Sequence, residues 1–256
     1  APVIAVFLTM IFGGFLFLSM GKNPFEAIKL IFWDTIMSPT FSEYSRPQLV
    51  IKAAPLILIA LGLSFGFRAN IWNIGAEGQY IMGALISGSI GLALYPLDSM
   101  VIFPLMILGG IIGGILWAMI PAILKIRFNT NEILVSLMLV YVAEQILALA
   151  SVGFLRNPEG LGFPGSRDLS KYPSAANPEL IANSGIHMGV IFSIIAVIVL
   201  TYFLIYHRLG FQIKLLGQAP KASKFSGVNS NYIIIFCLGL SGGLAGVAGM
   251  FELTGP

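Results

Sequence analysis

Of 256 residues, 57% are hydrophobic and only 10% are charged; soluble domains carry about 25% charged residues, so an ordinary water-soluble domain is excluded. The formal net charge is +3, confined to loops and without a basic–aromatic groove, which excludes nucleic acid as a partner. The single cysteine, Cys237, excludes an intrachain disulfide and a cysteine metal cluster.

About 20 apolar residues cross the hydrocarbon core as a helix. Residues 2–20 qualify. They lack a basic leader and a clear cleavage site, so they read as a span and not as a signal peptide. The chain opens inside this run without an initiator Met and stops at Pro256 in a Gly-rich segment. An incomplete first span and further C-terminal spans are therefore expected. Residues 21–52 mix Lys22, Glu26, Lys29, Asp34, Glu43 and Arg46 with Phe25, Phe32, Trp33 and Tyr44. This is the pattern of an amphipathic interfacial segment, with a turn at Ser38-Pro39. Residues 49–67 form the second span.

Residues 68–79, RANIWNIGAEGQ, set Arg68, Asn70, Asn73, Glu77 and Gln79 between apolar runs, with Gly75 and Gly78 around Ala76-Glu77. Glycine permits torsions that a helix forbids. The segment is either a polar turn at the membrane edge or non-helical backbone at depth, which is tolerated only where it is buried in protein or lines a cavity.

Residues 80–97 carry Gly83, Ser87 and Gly91, and residues 101–124 carry Gly109, Gly110, Gly113 and Gly114. Small residues four apart let helix backbones approach closely in lipid, so these stripes are packing faces. Lys125 and Arg127 place the next turn in the cytoplasm. Thr130 or Asn131 is a natural N-cap for the span 133–153, and Glu132 suits the positive end of its dipole. Glu144 lies inside that span, about three turns beyond Glu132 and on roughly the face of Tyr141; an intramembrane carboxylate is expected to face a cavity or the bundle interior.

Residues 154–186 form a Pro- and Gly-rich loop of balanced charge, suited to the outer face. The span 187–206 has a histidine beside each end, His187 and His207, about 30 Å apart along the axis, so they cannot share a metal. Residues 207–231 carry Arg208, Lys214, Lys221 and Lys224 and no acid, which holds this loop in the cytoplasm. Gly217-Gln218-Ala219-Pro220 breaks it into two short pieces, 211–216 and 221–225, a helix–turn–helix at the membrane surface. The last run, 232–253, holds Gly242, Gly243, Gly246 and Gly249, with Glu252 near its end. The fold class is thus all-α: a polytopic membrane helix bundle of about seven visible spans, with 21–48, 95–100 and 154–186 outside and 68–78, 125–131 and 207–231 inside.

Gly210, Lys214, Leu215, Gly217, Pro220, Ala222 and Gly227 resemble the coupling loop of binding-protein-dependent ABC importer permeases, in the branch that takes up branched-chain amino acids, ribose-type sugars and nucleosides. The pattern G-x-x-x-[KR]-x-x-G-x-x-x-x-A-x-x-x-x-G falls on Gly210, Lys214, Gly217, Ala222 and Gly227. FRANIWNIGAEGQ, from Phe67 to Gln79, is similar to the nucleoside and simple-sugar subgroup; TNEILVSLMLVYVA resembles the same permeases, and the Gly-rich AGVAGMFE resembles the permease family. One position departs: Val140 precedes Tyr141 where many nucleoside-type members have Asn.

The resemblance implies one transmembrane domain over residues 1–256, with 207–231 as its coupling loop, in the bacterial cytoplasmic membrane. It implies ABC ATPase subunits, a second permease subunit and an extracytoplasmic substrate-binding protein as partners, besides the lipid bilayer. No G-x-x-x-x-G-K-[ST] loop is present, so the chain is expected to be no enzyme, to bind no cofactor or metal, and to leave ATP and Mg to the partner. Pathway candidates for a nucleoside or simple sugar are Phe67, Trp72, Asn73, Glu77, Gln79, Glu132, Tyr141 and Glu144. The alternative is a proton-coupled secondary transporter relaying through Glu77, Glu132 or Glu144. A third reading, a serine hydrolase built on the G-x-S-G pattern at 239–242, requires a base beside Ser241, and both histidines sit at the far ends of the preceding span.

Overall fold

The computed structural model describes residues 2–181 and 184–255; Ala1, Pro256 and the loop residues Ala182 and Asn183 lie outside the described residues. The chain divides into two compact units, Ala1–Val50 and Ile51–Pro256.

In the first unit, α1 (Pro2–Ser19) ends at a turn where Gly21 has φ +70°, a left-handed conformation that glycine adopts without a Cβ penalty. The Asn23 side chain accepts from the Phe25 N–H at 3.0 Å and caps α2 (Pro24–Lys29). Pro24 begins that helix, where its missing N–H costs nothing. A π-helical turn (Leu30–Asp34) and α3 (Thr35–Met37) follow. The predicted amphipathic segment is therefore helical, and the expected break falls at Ser38, whose backbone is extended. Pro39 then opens α4 (Pro39–Arg68), which starts ten residues ahead of the predicted span.

The second unit contains α5 (Ala76–Ala93), α6 (Ile102–Phe128), α7 (Glu132–Val152), α8 (Met188–Tyr206), α9 (Arg208–Gln218), α10 (Pro220–Phe225) and α11 (Ser230–Thr254). Its centre is α11: 78% of an 18-residue apolar stretch of it is buried, against 22–39% of the corresponding stretches in the other four long apolar helices. The glycine stripes explain this. A Cβ on Gly246 would lie 2.0 Å from the Gly110 carbonyl oxygen, one on Gly83 would lie 2.2 Å from Gly246 Cα, and one on Gly114 would lie 1.9 Å from the Gly242 oxygen. Three helices thus meet backbone to backbone, where dispersion supplies the association energy that water would otherwise provide.

Five helices among the described residues are long and apolar enough to cross a membrane, against the seven spans counted from the sequence. The difference has two sources. The described apolar part of α1, Val3–Ser19, is shorter. In α5 the helix begins four residues earlier than its apolar run, so Glu77 and Gln79 fall inside its first turn and lower its apolarity.

The long 154–186 loop is not passive. A 3-10 turn (Leu169–Lys171) seats buried Tyr172, whose hydroxyl donates to the carbonyls of Leu94 and Leu97 on the α5–α6 turn. The Asn177 N–H donates to the Thr254 carbonyl at 2.9 Å, and its side chain bonds to both His187 and the Met188 N–H. His187, 2% exposed, caps α8 through an Nδ1 that accepts from the Gly189 N–H at 3.1 Å. Nδ1 accepts from Asn177 Nδ2 as well, at 2.9 Å, so this ring is neutral.

Burial holds the His187 pKa below its ordinary value of 6.5, partly offset by Glu252. The unfolded chain therefore binds the extra proton, and stability present above about pH 6.5 is lost as the pH falls below it. Thermal unfolding in detergent between pH 7.5 and 5 is expected to show the melting temperature falling with acid, with a shallower fall in His187→Gln. Equal slopes in the two proteins would remove His187 as the cause.

Candidate functional site

At the basic end of the bundle, His207 joins α8 to α9: it ends the first and caps the second by accepting from the Leu209 N–H at 3.2 Å. The α9 face carrying Gly210 and Ile213 is buried, with Ile213 in a cluster with Phe65, Ala69, Ile71, Ala122, Leu204, Ile233, Cys237 and Leu238. Gly210 meets the Leu204 carbonyl oxygen, 2.2 Å from where its Cβ would be, and Gly217 meets the Arg68 carbonyl oxygen at 2.0 Å. Pro220 starts α10, and Gly227 leaves it with φ +72°. The other face stays open: Phe211 is 66% and Phe225 95% exposed, and Lys214, Lys221, Ala222 and Lys224 are exposed beside them. Leu215 is half-buried. The predicted helix–turn–helix is present, longer in its first piece, with one face seated on the end of α4 and one free.

From Arg68 the backbone leaves the helix for seven residues, 69–75, and re-enters the bundle. Asn73 marks how far it goes. Its Nδ2 donates to Ser241 Oγ at 3.0 Å and to Gln79 Oε1 at 2.8 Å, while its Oδ1 accepts from Gln79 Nε2 and the Gly75 N–H, both at 3.1 Å. The Ile74 N–H donates to Ser136 Oγ at 3.2 Å. Ser241 lies eleven residues into α11, hence ~17 Å from its inner end. Gly78 packs on Trp117, eleven residues before the end of α6, which gives the same depth of ~17 Å. The helix α5 therefore starts about halfway through the bundle. Non-helical backbone at that depth survives because its polar groups are taken up inside the protein.

The expected non-helical residues extend only to Gly75. Gly78 is helical, and its role is close packing: a Cβ there would lie 3.1 Å from Val140 Cα. Asn73 and Gln79 are 3% and 1% exposed, so in this conformation they pin the break to α11. Asn73→Ala leaves the Gln79 amide and the Gly75 N–H without partners, and a buried orphan costs about 1–3 kcal/mol. Thermal unfolding in detergent is expected to show that loss, and an unchanged melting temperature would count against the latch.

The eight pathway candidates occupy five places. Phe67 and Trp72 pack against each other with tilted rings, centroids 4.8 Å apart, beside Arg68 and the α9 seam. Asn73 and Gln79 form the latch. Glu132, 7% exposed, is held by Lys125 Nζ at 2.5 Å across the α6–α7 turn, where Asn131 and not Thr130 is the cap. Tyr141, 62% exposed, and exposed Glu144 share the outer face of α7. Phe67 borders a cleft beside Lys214 and Gly217, and Glu77 lines a separate cavity.

That cavity is a groove of about 420 Å³ between α4, α5 and α11, lined by Lys52, Pro55, Leu56, Ile59, Ala76, Glu77, Tyr80 and Glu252. Lys52 Nζ ion-pairs with Glu252 Oε1. Sequence reasoning noted Glu252 without assigning it a role, and passed over Lys52 and Tyr80. The available signal was a lysine three residues into an apolar span, a costly placement that marks function by default.

A protein-family comparison matches residues 46–256 to the permease component of branched-chain amino acid transport systems. The chain belongs to this permease family. Relatives include a glucose ABC transporter permease of Haloferax volcanii, 28% identical over 99% of this chain and 67% of that one. A nucleoside ABC transporter permease of Lactococcus lactis is 27% identical over 97% of this chain and 69% of its own length. A guanosine ABC transporter permease of Bacillus subtilis is 26% identical over 99% and 71%. No solved structure matches the chain. The protein is a multi-pass membrane permease of the ABC importer class.

Proposed function

We propose that this permease forms the translocation pathway of an ATP-driven importer for a nucleoside or simple sugar, with hydrolysis supplied by a separate ATPase docked on α9 and α10. The reading rests above all on one observation: α9 carries a free basic–aromatic face on one side and touches the end of α4 on the other, at Gly217. Force on the free face reaches Arg68, then the non-helical residues 69–75, then the start of α5, where Glu77 enters the groove. Relatives named for glucose, nucleoside and guanosine support the solute class. A second permease subunit and an extracytoplasmic binding protein complete the assembly, and ATP with Mg binds to the ATPase.

Proteoliposomes containing the assembled importer test this with labelled guanosine and glucose. Uptake of at least one of them is expected to require ATP. Accumulation driven by a proton gradient in the absence of nucleotide would replace this mechanism with a secondary transporter.

A further inference from the structure

We infer that the groove of Lys52, Glu77, Tyr80 and Glu252 is the selectivity site of the pathway, built to hold an uncharged, hydroxyl-rich ring and to turn away its phosphorylated form. The inference rests on the transport reading above. Charges on apolar membrane helices are costly and need a cause, and three of them converge here from three separate helices. Their signs matter. Lys52 is committed to Glu252, whereas Glu77 is exposed and makes no ion pair among the described residues. Two carboxylates against one ammonium leave one excess negative charge.

A carboxylate accepts two hydrogen bonds side by side, which suits neighbouring ring hydroxyls. The Tyr80 hydroxyl has no hydrogen-bond partner in the protein among the described residues and adds a second polar contact. Pro55, Leu56, Ile59 and Ala76 supply an apolar wall for the face of a ring. A volume of about 420 Å³ falls in the range of small-molecule sites. A phosphate ester brought beside an unpaired carboxylate is repelled, and the one nearby cation is already engaged.

The chain's only cysteine, Cys237, is buried, so one introduced cysteine reports on the groove when labelling is read on this chain after the subunits are separated. In the assembled importer, Ile59→Cys is to be labelled with a cationic and an anionic methanethiosulfonate reagent, with Leu56→Cys as a second position should the first fail to assemble. The cation-to-anion rate ratio is expected to drop at least about tenfold when Glu77→Gln is added, the scale of one unit charge acting at short range near a protein surface. Guanosine or glucose at millimolar concentration is expected to slow labelling, and guanosine monophosphate or glucose 6-phosphate to leave it unchanged. A ratio indifferent to Glu77→Gln, or equal protection by the phosphate esters, overturns the inference while ATP-dependent uptake by the unmodified importer still upholds the transport reading. Absence of that uptake removes the transport reading, and the inference with it.

Discussion

Gly217→Trp is expected to reduce ATP-driven uptake to background while the protein still inserts in the membrane at normal abundance. The position has no room: even a Cβ would sit 2.0 Å from the Arg68 carbonyl oxygen and 2.9 Å from its carbon. Overpacking of a well-fitted contact costs about 1–3 kcal/mol for small additions, and an indole adds far more than a methyl group. The damage falls on the seam between α9 and α4, away from the α5–α6–α11 core, so insertion survives. Gly217→Ala tests the geometry more gently. A cost of about 1–3 kcal/mol at the seam corresponds to a shift of roughly 5- to 150-fold in the equilibrium between seated and unseated α9. Uptake and immunoblotted membrane abundance, measured together, decide the matter. Normal uptake in Gly217→Trp would show that α9 does not transmit force through Arg68.

Gly246→Val is expected to be more destructive still, and differently so: it should remove the folded bundle itself. At this position α11 touches α6 and α5 together. A Cβ would lie 2.0 Å from the Gly110 oxygen and 3.0 Å from Gly114 Cα, while Gly83 on α5 already needs the same space, its own Cβ falling 2.2 Å from Gly246 Cα. No rotamer relieves this, because the clash begins at Cβ and its partners are backbone atoms. The helices must separate, and in lipid their attraction depends on close approach. Membrane abundance and a monodisperse peak in detergent are the readouts, and both should be lost. Gly243 is the control on the same helix: the atoms nearest its Cβ would be Ile115 and Ile111 side-chain carbons at 3.3–3.6 Å, so Gly243→Ala is expected to retain a folded protein. Survival of Gly246→Val at normal levels would contradict the packing described here.

Much of the fold was legible in the chain because each signal was local. Apolar runs gave five of the seven counted spans as long apolar helices, and glycines four apart gave faces that turn out to pack at Gly83, Gly110, Gly114, Gly242 and Gly246. The break after Arg68 was visible as a cluster of Asn, Gly and Glu between apolar segments, and the α9–α10 pair as a basic loop broken before Pro220. The candidate site was less legible. Asn73 and Gln79 share a motif with Glu77, yet they turn inward onto each other and Ser241, while Glu77 opens into a groove completed by Lys52, Tyr80 and Glu252. Ser241, flagged within a serine-nucleophile pattern, accepts a hydrogen bond from Asn73 at mid-depth instead.

By itself, then, the sequence determined the helical class, the membrane setting, the basic end of the bundle and the positions where backbones could approach. Those properties depend on residues close together in the chain and on the exclusion of unsatisfied polar groups from lipid. Only the tertiary structure decided which polar groups are spent on holding the break in place and which are left free in the groove. Helical periodicity fixes which residues share a face, but in a bilayer lipid-facing and protein-facing sides are equally apolar. The partner of Lys52 lies 200 residues away, and it is the close meeting of α4, α5 and α11 that brings the two together.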